Sequence, residues 1–290
     1  MNYISQIQQV ASGRCIEDMI MACSINPEMI RKIVTKITYL ASTARAYALS
    51  RKNRGYCHCC RSRTVFLITG DWLRDQYICS KCKSIPRQRH VQYILDLIDP
   101  DWTSKRIHES SPSNDYISRH ASNYSSSQFL SDVEFGTLSP RGARSENLEQ
   151  LTFPSDSFEI FITQDVFEHI FDPERASKEI ARVLSPGGMH IFTAPKYRDL
   201  RKSFRRAIML EDGSIRHTHE PEYHGNPVGD GKSLVTWRYG NDFEKLLAEW
   251  SGLTVTTYIT RDRSLGIDGE FIEVFVMRKN RVFPASPSRE

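Results

Sequence analysis

Four cysteines arranged as two C-x2-C pairs are the residues of this 290-residue chain whose spacing most directly indicates chemistry. Cys57 and Cys60 form the first pair, Cys79 and Cys82 form the second, and eighteen residues separate the pairs. Two intervening residues allow a tight turn that directs both sulfurs of a pair toward one ion, so the four thiolates suit a tetrahedral zinc site. The runs TVFLITG and DQYIC between the pairs favour short strands, and we expect a zinc ribbon.

Other interpretations of the cysteine-rich segment are open at this point. A disulfide pair is disfavoured if the protein is cytoplasmic, and a redox C-x2-C motif would not need to occur twice. Cys59 is then a spare thiol and His58 a substitute ligand. A site closed by four thiolates has no open position for water or substrate, so we expect structural Zn²⁺ and a reaction centre further along the chain.

The composition is that of an ordinary globular protein, with 39% hydrophobic and 26% charged residues, and we expect one main core with an appendage. No run of eighteen apolar residues is present, and the amino terminus MNYISQIQQVASGRC lacks the order of a secretory signal. We therefore predict a cytoplasmic location. The formal net charge of +4 is too small to indicate a nucleic-acid partner by itself.

Residues 100–195 alternate short apolar runs with helical patterns, which is typical of an α/β fold with a parallel sheet and crossover helices. KRIHE, FEIFITQ and GMHIFTAP are the predicted strands, and NDYISRHA and PERASKEIARVL are the predicted helices. A further helix, NDFEKLLAEWSG, precedes two more strands, LTVTTYIT and FIEVFVMRK. Ligands bind beyond the carboxyl ends of the strands in such sheets, so the residues that follow each strand are candidate site residues.

The segment ENLEQLTFPSDSFEIFITQDVFEHIFDPERASKEIARVLSPGGMHIFTAPK resembles the central part of the class I S-adenosylmethionine-dependent methyltransferases of the type 11 subgroup. The matching elements are Asn147, the turn LTFPSDSF, Asp165 at a strand end, Glu168 with His169, and RVLSPGG. The resemblance extends over roughly residues 104–280. It implies a Rossmann-like methyltransferase sheet of seven strands, mostly parallel with an antiparallel closing strand, and S-adenosyl-L-methionine as cofactor.

The same resemblance implies a set of cofactor-binding residues, although one element departs from the family. Members usually have a glycine-rich turn after the first strand, whereas this chain has RIHESSPSND. A lineage with an h-x-x-x-P turn, a C-x2-C ribbon and an R-x-R segment like PRQRH is the most similar to it. The acid of the second strand is expected in FLSDVEFG, with Glu134 as the alternative to Asp132. The residues implied are Glu109, Ser110, Ser111, Pro112, Asp132, Asn147, Leu148, Asp165, Val166 and Phe167.

The polar segment 196–239 is an insert at the sheet edge where the family binds its methyl acceptor. Its stretch EPEYHGNP predicts a lid or acceptor loop, and the alternative is a long surface loop with solvated charges. We expect Tyr223 and His224 to contact the acceptor, with His224 or His169 as a candidate base. Methyl transfer requires alignment first and a base only when the acceptor still holds its proton.

Four segments and one main function are therefore expected. The predicted segments are a helical segment 1–55, a zinc ribbon 56–95, a methyltransferase domain 100–280 that contains the insert, and a disordered tail 281–290. The predicted activity is transfer of a methyl group to an oxygen or nitrogen of a small molecule, sugar or glycan precursor. One alternative is an RNA methyltransferase whose ribbon binds phosphates through the flanking basic stretches SRKNR, CRSR and PRQRH, the last of which contains Arg87 and Arg89. The other is a zinc-dependent interaction protein that has lost its cofactor.

Overall fold

The computed structural model describes residues 51–225 and 231–281, together with residues 28, 29, 32, 33, 35 and 36. Those six residues are helical, while the rest of the predicted helical segment and nearly all of the predicted tail lie outside the described residues. The chain divides into two compact units, residues 1–51 and 52–290. The division lies close to the predicted boundary near residue 55, and the ribbon and the sheet belong to the same unit.

The cysteine-rich segment forms an antiparallel sheet of three strands, β1 (Arg51–Cys57), β2 (Ser62–Ile68) and β3 (Tyr77–Cys79). The short helix α1 (Leu73–Gln76) connects β2 to β3, and helix α2 (Pro86–Ile98) follows. The predicted runs TVFLITG and DQYIC correspond to β2 and β3, whereas β1, which ends at the first cysteine of the first pair, was not predicted.

Contacts with later parts of the chain hold the three-stranded sheet in place. Arg89 is fully buried and donates from Nε to the carbonyl oxygen of Gly266, 2.8 Å away. Asn53 donates to the carbonyl oxygen of Arg263, and the Tyr116 hydroxyl donates to that of Cys82. Because the loop at residues 263–266 and the Tyr116 side chain both bond the ribbon, the ribbon is packed into the same structure as the large sheet.

A seven-stranded sheet forms the centre of the second unit, in the order β15-β16-β8-β7-β4-β5-β6. The five strands from β8 to β6 are parallel, whereas β16 runs antiparallel to both of its neighbours. This order confirms the predicted Rossmann-like methyltransferase sheet. The strands are β4 (Arg106–Ser110), β5 (Asn123–Gln128), β6 (Arg144–Ser145), β7 (Phe158–Gln164), β8 (Leu184–Thr193), β15 (Thr254–Tyr258) and β16 (Val274–Arg278).

Strand β16 shows how the sheet builds a hydrophobic core on each face. Val274 and Val276 pack with helix α2, whereas Phe275 and Met277 pack with helices α3 (Pro173–Val183) and α4 (Phe243–Ser251). Successive side chains of a strand point to opposite faces, so a strand buried on both sides is apolar throughout. The FIEVFVMRK run predicted this strand for that reason.

Two predicted elements differ from the structure. The NDYISRHA segment forms turns instead of a helix, because Tyr116 reaches the ribbon while its neighbour Ile117 packs into the core of the large sheet. The second strand is the polar run NYSSSQ at 123–128, not FLSDVEFG. Its serine hydroxyls at positions 125 and 127 bond the two ring nitrogens of buried His108, which compensates for the absence of apolar side chains.

The insert, predicted as a lid or acceptor loop with a long surface loop as the alternative, folds into short antiparallel pairs of strands. One pair is β9 (Phe204–Arg205) with β14 (Trp237–Arg238). The others are the hairpins β10 (Ala207–Met209) with β11 (Ile215–His217), and β12 (Tyr223–Gly225) with β13 (Lys232–Leu234). The second hairpin carries His224 toward the carboxyl end of β7, where the candidate site lies.

Candidate active site

A cavity of about 1050 Å³ lies at the carboxyl ends of the parallel strands. It contains residues that follow β4 and residues that follow β7, the two neighbouring strands between which the strand order reverses. Ligands of doubly wound sheets bind at this reversal, because the connections leave in opposite directions and open a crevice. The insert contributes a further wall through Met209, Ile215 and His224.

The turn after β4 adopts a backbone conformation that is unusual for its residue type. Ser111 has a φ of 56°, in the left-handed region that glycine normally occupies, and its N–H donates to the Ser127 carbonyl oxygen at 2.8 Å. Ser110, Ser111 and Pro112 all line the cavity. The chain therefore makes the sharp turn at this strand end without the glycines of the usual motif.

Glu109 lies directly beneath this turn and is 1% exposed. Its carboxylate accepts hydrogen bonds from the Tyr124 hydroxyl at 3.0 Å and from Gln164 Nε2 at 3.1 Å. Burial raises the pKa of Glu109 to about 7, although both hydrogen bonds favour the charged form. Gln164 itself lines the cavity, so Glu109 acts on the cavity wall through that side chain.

Asp165 follows β7, lines the cavity, and is held by two arginines from the ribbon side of the unit. Arg74 Nη2 lies 2.5 Å and Arg87 Nε 2.8 Å from the same carboxylate oxygen, while Thr193 donates to the other oxygen at 2.8 Å. Burial alone would raise the pKa of Asp165, but Arg87 and Arg74 hold it below its usual value. Asp165 is therefore an ionised anchor between the ribbon and the cavity.

Three side chains meet at the end of the cavity nearest the insert, and we name them the Glu-His cluster: Glu168, His169 and His224. Glu168 and His169 belong to the turn Phe167–His169 after β7, and His224 comes from β12. Glu168 Oε1 lies 3.8 Å from His169 Nε2 and 3.8 Å from His224 Nδ1. Burial, together with Asp165, raises the pKa of Glu168 to about 8.

Most of the residues proposed from the sequence lie around this cavity. Those that line it are Ser110, Ser111, Pro112, Asn147, Leu148, Asp165, Val166, His169 and His224. Four do not line it. Glu109 lies beneath the turn, and Phe167 is wholly buried in the core with its carbonyl accepting from the Tyr239 hydroxyl. Tyr223 is 53% exposed on the outer side of its hairpin.

The fourth exception, Asp132, corrects the prediction for the second strand. That strand ends at Gln128, so Asp132 lies four residues beyond it in an exposed turn and does not line the cavity. The alternative residue, Glu134, does not line the cavity either. Gln128 and Phe129 stand at the true strand end and do line it. The carboxylate expected at this strand end is therefore replaced by an amide and an aromatic ring.

The four cysteines of the two C-x2-C pairs, which we name the cysteine cluster, converge as their spacing predicted. The Sγ atoms of Cys57 and Cys82 are 3.7 Å apart, and those of Cys60 and Cys79 are 4.0 Å apart. Zn–S bonds of about 2.3 Å in a tetrahedron place sulfurs about 3.8 Å apart, so the four fit zinc. The cysteines of the described residues are all free thiols, which excludes the disulfide interpretation there.

His58, the proposed substitute ligand, has a different partner. Its Nδ1 lies 2.7 Å from the Asp96 carboxylate of helix α2. The two arginines named for phosphate binding are also engaged inside the protein. Arg89 is fully buried, and Arg87 pairs with Asp75 and Asp165. The RNA alternative therefore loses the two arginines of PRQRH and rests on the basic stretches SRKNR and CRSR.

Sequence reasoning missed the arginines that fix Asp165 and the amides of Gln128 and Gln164. Gln164 was recognisable as the last residue of a predicted strand, and a search of strand ends would have found it. No local pattern relates Arg74 to Asp165, because the two residues lie 91 positions apart in the chain.

Residues 106–192 match the family model described as "Methyltransferase domain". No curated protein sequence matches the chain. Among solved structures, an S-adenosylmethionine-dependent methyltransferase from Mesorhizobium loti has a TM-score of 0.43 and 15% identity, over 66% of this chain and 98% of that chain. The Burkholderia thailandensis 1,6-didemethyltoxoflavin-N1-methyltransferase has a TM-score of 0.43 and 12% identity, over 67% of this chain and 78% of its own.

Both TM-scores lie below 0.5, so the family match and the strand order are the basis of the assignment. Residues 106–192 thus match a methyltransferase domain, and they contain the central parallel strands of the large sheet. Among the helices of the described residues, none is long and apolar enough to cross a membrane.

Proposed function

We propose that this methyltransferase moves a methyl group from S-adenosylmethionine to an oxygen or nitrogen of a small molecule, sugar or glycan precursor. The observation that supports this most is the single cavity of about 1050 Å³, which extends from the Ser110–Pro112 turn to the Glu-His cluster. Pockets for one drug-sized ligand measure about 300–1,000 Å³, so a cofactor and a small acceptor fit together.

The cofactor occupies the end of the cavity formed by the strand ends. The turn after β4 offers backbone and hydroxyl groups, and Asn147 offers an amide, a donor and acceptor pair that suits the edge of an adenine ring. Gln128 takes the place where a ribose-binding acid was expected. Glu109 acts from beneath by holding Gln164, and Asp165 with Val166 borders the space between cofactor and acceptor.

The acceptor occupies the end beside the insert, where His169 and His224 line the wall. Met209 and Ile215 add apolar surface from the first hairpin of the insert. Tyr223 points away from this space and contributes to the hairpin instead, so we no longer assign it a direct role. An acceptor with both polar and apolar parts, small enough to share the cavity, fits this wall.

The cysteine cluster holds structural zinc. The sulfur separations match a tetrahedral site, and four thiolates leave no position for substrate. Zinc would fix the ribbon, and the ribbon places Arg74 and Arg87 on Asp165. The ribbon thus acts on the cavity through this ion-pair network and not through chemistry at the metal.

Calorimetry with S-adenosylhomocysteine tests the cofactor half of the proposal. The zinc-loaded protein should bind one equivalent, Asn147→Ala should bind roughly ten-fold or more weakly, and the matched control Asp132→Ala should bind as the unchanged protein does. An absence of binding to the zinc-loaded protein contradicts the proposal. Equal affinities of the Asn147 and Asp132 variants would indicate that the cofactor does not bind at this strand end.

Transfer of a labelled methyl group identifies the acceptor class. Labelled S-adenosylmethionine is incubated with the protein and a cell extract, and the label is then followed by mass spectrometry. Appearance of the label in a low-molecular-mass or glycan fraction is expected. Appearance only in RNA would restore the RNA alternative, with basic residues other than Arg87 and Arg89 as the contacts.

A further inference from the structure

The Glu-His cluster has a carboxylate without a hydrogen-bond partner. The Glu168 side chain is 2% exposed, and neither of its two oxygen atoms accepts or donates a hydrogen bond among the described residues. Leaving a buried carboxylate in this state is costly, and native proteins satisfy such groups with a hydrogen bond, a paired charge or a metal ion. A partner for Glu168 is therefore missing from the protein's own atoms.

The tautomer of His169 adds a second observation. His169 Nδ1 lies 2.8 Å from the Leu234 carbonyl oxygen, which can only accept, so Nδ1 carries a hydrogen. The other ring nitrogen, Nε2, faces Glu168 Oε1 at 3.8 Å and is the nitrogen of His169 left to bind a cation.

His224 completes the arrangement from the insert. Its Nδ1 lies 3.8 Å from the same Glu168 oxygen, while its Nε2 faces Glu222 Oε1 at 3.7 Å. Glu222 is itself anchored by Arg238 at 2.9 Å. Histidines that bind metals commonly direct the other ring nitrogen toward a backbone carbonyl or a carboxylate, which orients the ring. His169 has the carbonyl and His224 has the carboxylate.

The spacing distinguishes a cation from a shared proton. A proton shared between nitrogen and oxygen requires a separation of about 2.7–3.2 Å, and both separations here are longer. Metal bonds of about 2.1 Å at tetrahedral or octahedral angles hold ligand atoms about 3.0–3.4 Å apart. The ligand atoms of the cluster all lie within 4.8 Å of one another, so a closer approach of the three side chains brings them to this spacing.

We infer that Glu168, His169 and His224 form a binding site for a divalent transition-metal cation at the acceptor end of the cavity. Two imidazoles and one carboxylate favour Zn²⁺, Mn²⁺ or Fe²⁺ over Mg²⁺ or Ca²⁺. Three protein ligands leave coordination positions open, and His169 and His224 both line the cavity. The open positions suit an oxygen donor, a hydroxyl or carboxylate of the acceptor; this last assignment of the ligand rests on the proposed function.

The charged groups around the cluster permit a bound cation. Arg74 and Arg87 are the positive groups on the ribbon side, and both are already paired with Asp165. On the insert side, Arg206 and Arg238 are paired with Glu222. Asp165 and Glu222 are thus each shared by two arginines, and among the described residues no arginine forms a salt bridge with Glu168.

Manganese binding tests the site independently of methyl transfer. The protein is first loaded with one equivalent of Zn²⁺, which the four thiolates bind preferentially, and Mn²⁺, which four thiolates disfavour, is then titrated with detection by electron paramagnetic resonance. One Mn²⁺ per chain is expected. Glu168→Gln and His224→Asn should each weaken binding roughly ten-fold or more, whereas His217→Asn, an exposed histidine of the same insert, should not change it.

Metal content after dialysis against Zn²⁺ provides a second measurement. Two zinc ions per chain are expected in the unchanged protein and one in Glu168→Gln. His224→Asn lies on a hairpin outside the core and guards against loss of folding in the Glu168 variant. One zinc ion and no bound Mn²⁺ in the unchanged protein, or full binding by both cluster variants, would overturn the inference. Neither result bears on S-adenosylhomocysteine binding, which tests the methyltransferase proposal separately.

Discussion

The cysteine cluster and the Glu-His cluster are built in opposite ways. The four cysteines come from 26 consecutive positions, 57–82, and offer four identical soft ligands. The Glu-His cluster joins adjacent residues of one turn to a histidine 55 positions away, and it opens into a cavity. A local cluster can be closed by the turns that create it, whereas a site for a substrate has to be assembled where distant elements meet.

The two clusters are nevertheless linked through Asp165. Arg74 and Arg87 lie on either side of β3 in the chain, so both depend on the ribbon for their positions. They converge on the carboxylate that stands three residues before Glu168. The structure therefore indicates that the ribbon supports the cavity and is not an independent appendage. The effect of the ribbon on the cavity can be measured.

Removing one zinc ligand should have the largest effect. Structural zinc of this kind contributes about 10–16 kcal/mol on binding, so Cys79→Ser should increase hydrogen exchange across β1–β3 and abolish binding of S-adenosylhomocysteine. The matched control is Cys59→Ser, because Cys59 is a buried thiol of the same segment outside the cysteine cluster. Unchanged cofactor affinity in Cys79→Ser would show that the ribbon is independent of the cavity.

Removing one arginine from Asp165 should have the next largest effect. Arg74→Met keeps much of the side-chain volume but leaves a buried carboxylate with one cation fewer, and we expect a loss of about 3 kcal/mol of unfolding free energy in denaturant titrations. Lys178→Met, which breaks the exposed pair with Glu174, should cost less than about 1 kcal/mol. Similar losses in the two variants would contradict the role of Asp165 as an anchor.

The smallest expected effect concerns the buried carboxyl of Glu109. Because burial raises its folded pKa from an ordinary 4.5 to about 7, the unfolded chain releases this proton at a lower pH than the folded protein does. The contribution of this carboxyl to the free energy of unfolding is fully present below about pH 4.5 and declines as pH rises toward 7. Between pH 5 and pH 7 the unfolding free energy of the cofactor-free protein should fall by about 2 kcal/mol more than that of the Glu109→Gln variant does.

Denaturant titrations of both proteins at several pH values provide this measurement. Glu174→Gln serves as the control, since Glu174 is exposed on helix α3 and should leave the pH dependence unchanged. Parallel curves for the unchanged protein and Glu109→Gln would indicate that Glu109 is charged in the folded state, with Tyr124 and Gln164 as sufficient donors.

Particular residues show how far sequence reasoning reached. The turn residues Ser110, Ser111 and Pro112 were found because a strand end in this fold marks the ligand site, and the family motif placed Asn147 and Asp165. Asp132 was misplaced because the second strand is polar and reads as a loop when its partners are unknown. The reason for the serines of this strand is visible only in the structure, where their hydroxyls bond His108 of the neighbouring strand β4.

Local spacing and apolar periodicity alone determined the cysteine cluster, the strands buried on both faces and the helices PERASKEIARVL and NDFEKLLAEWSG, since these depend on neighbours within a few positions. The family motif added the order of the central sheet. Tertiary structure decided which groups share the cavity, because they come from distant segments. The ion pair of Asp165 with Arg74 and the approach of His224 to Glu168 exist only after the sheet, the ribbon and the insert have packed together.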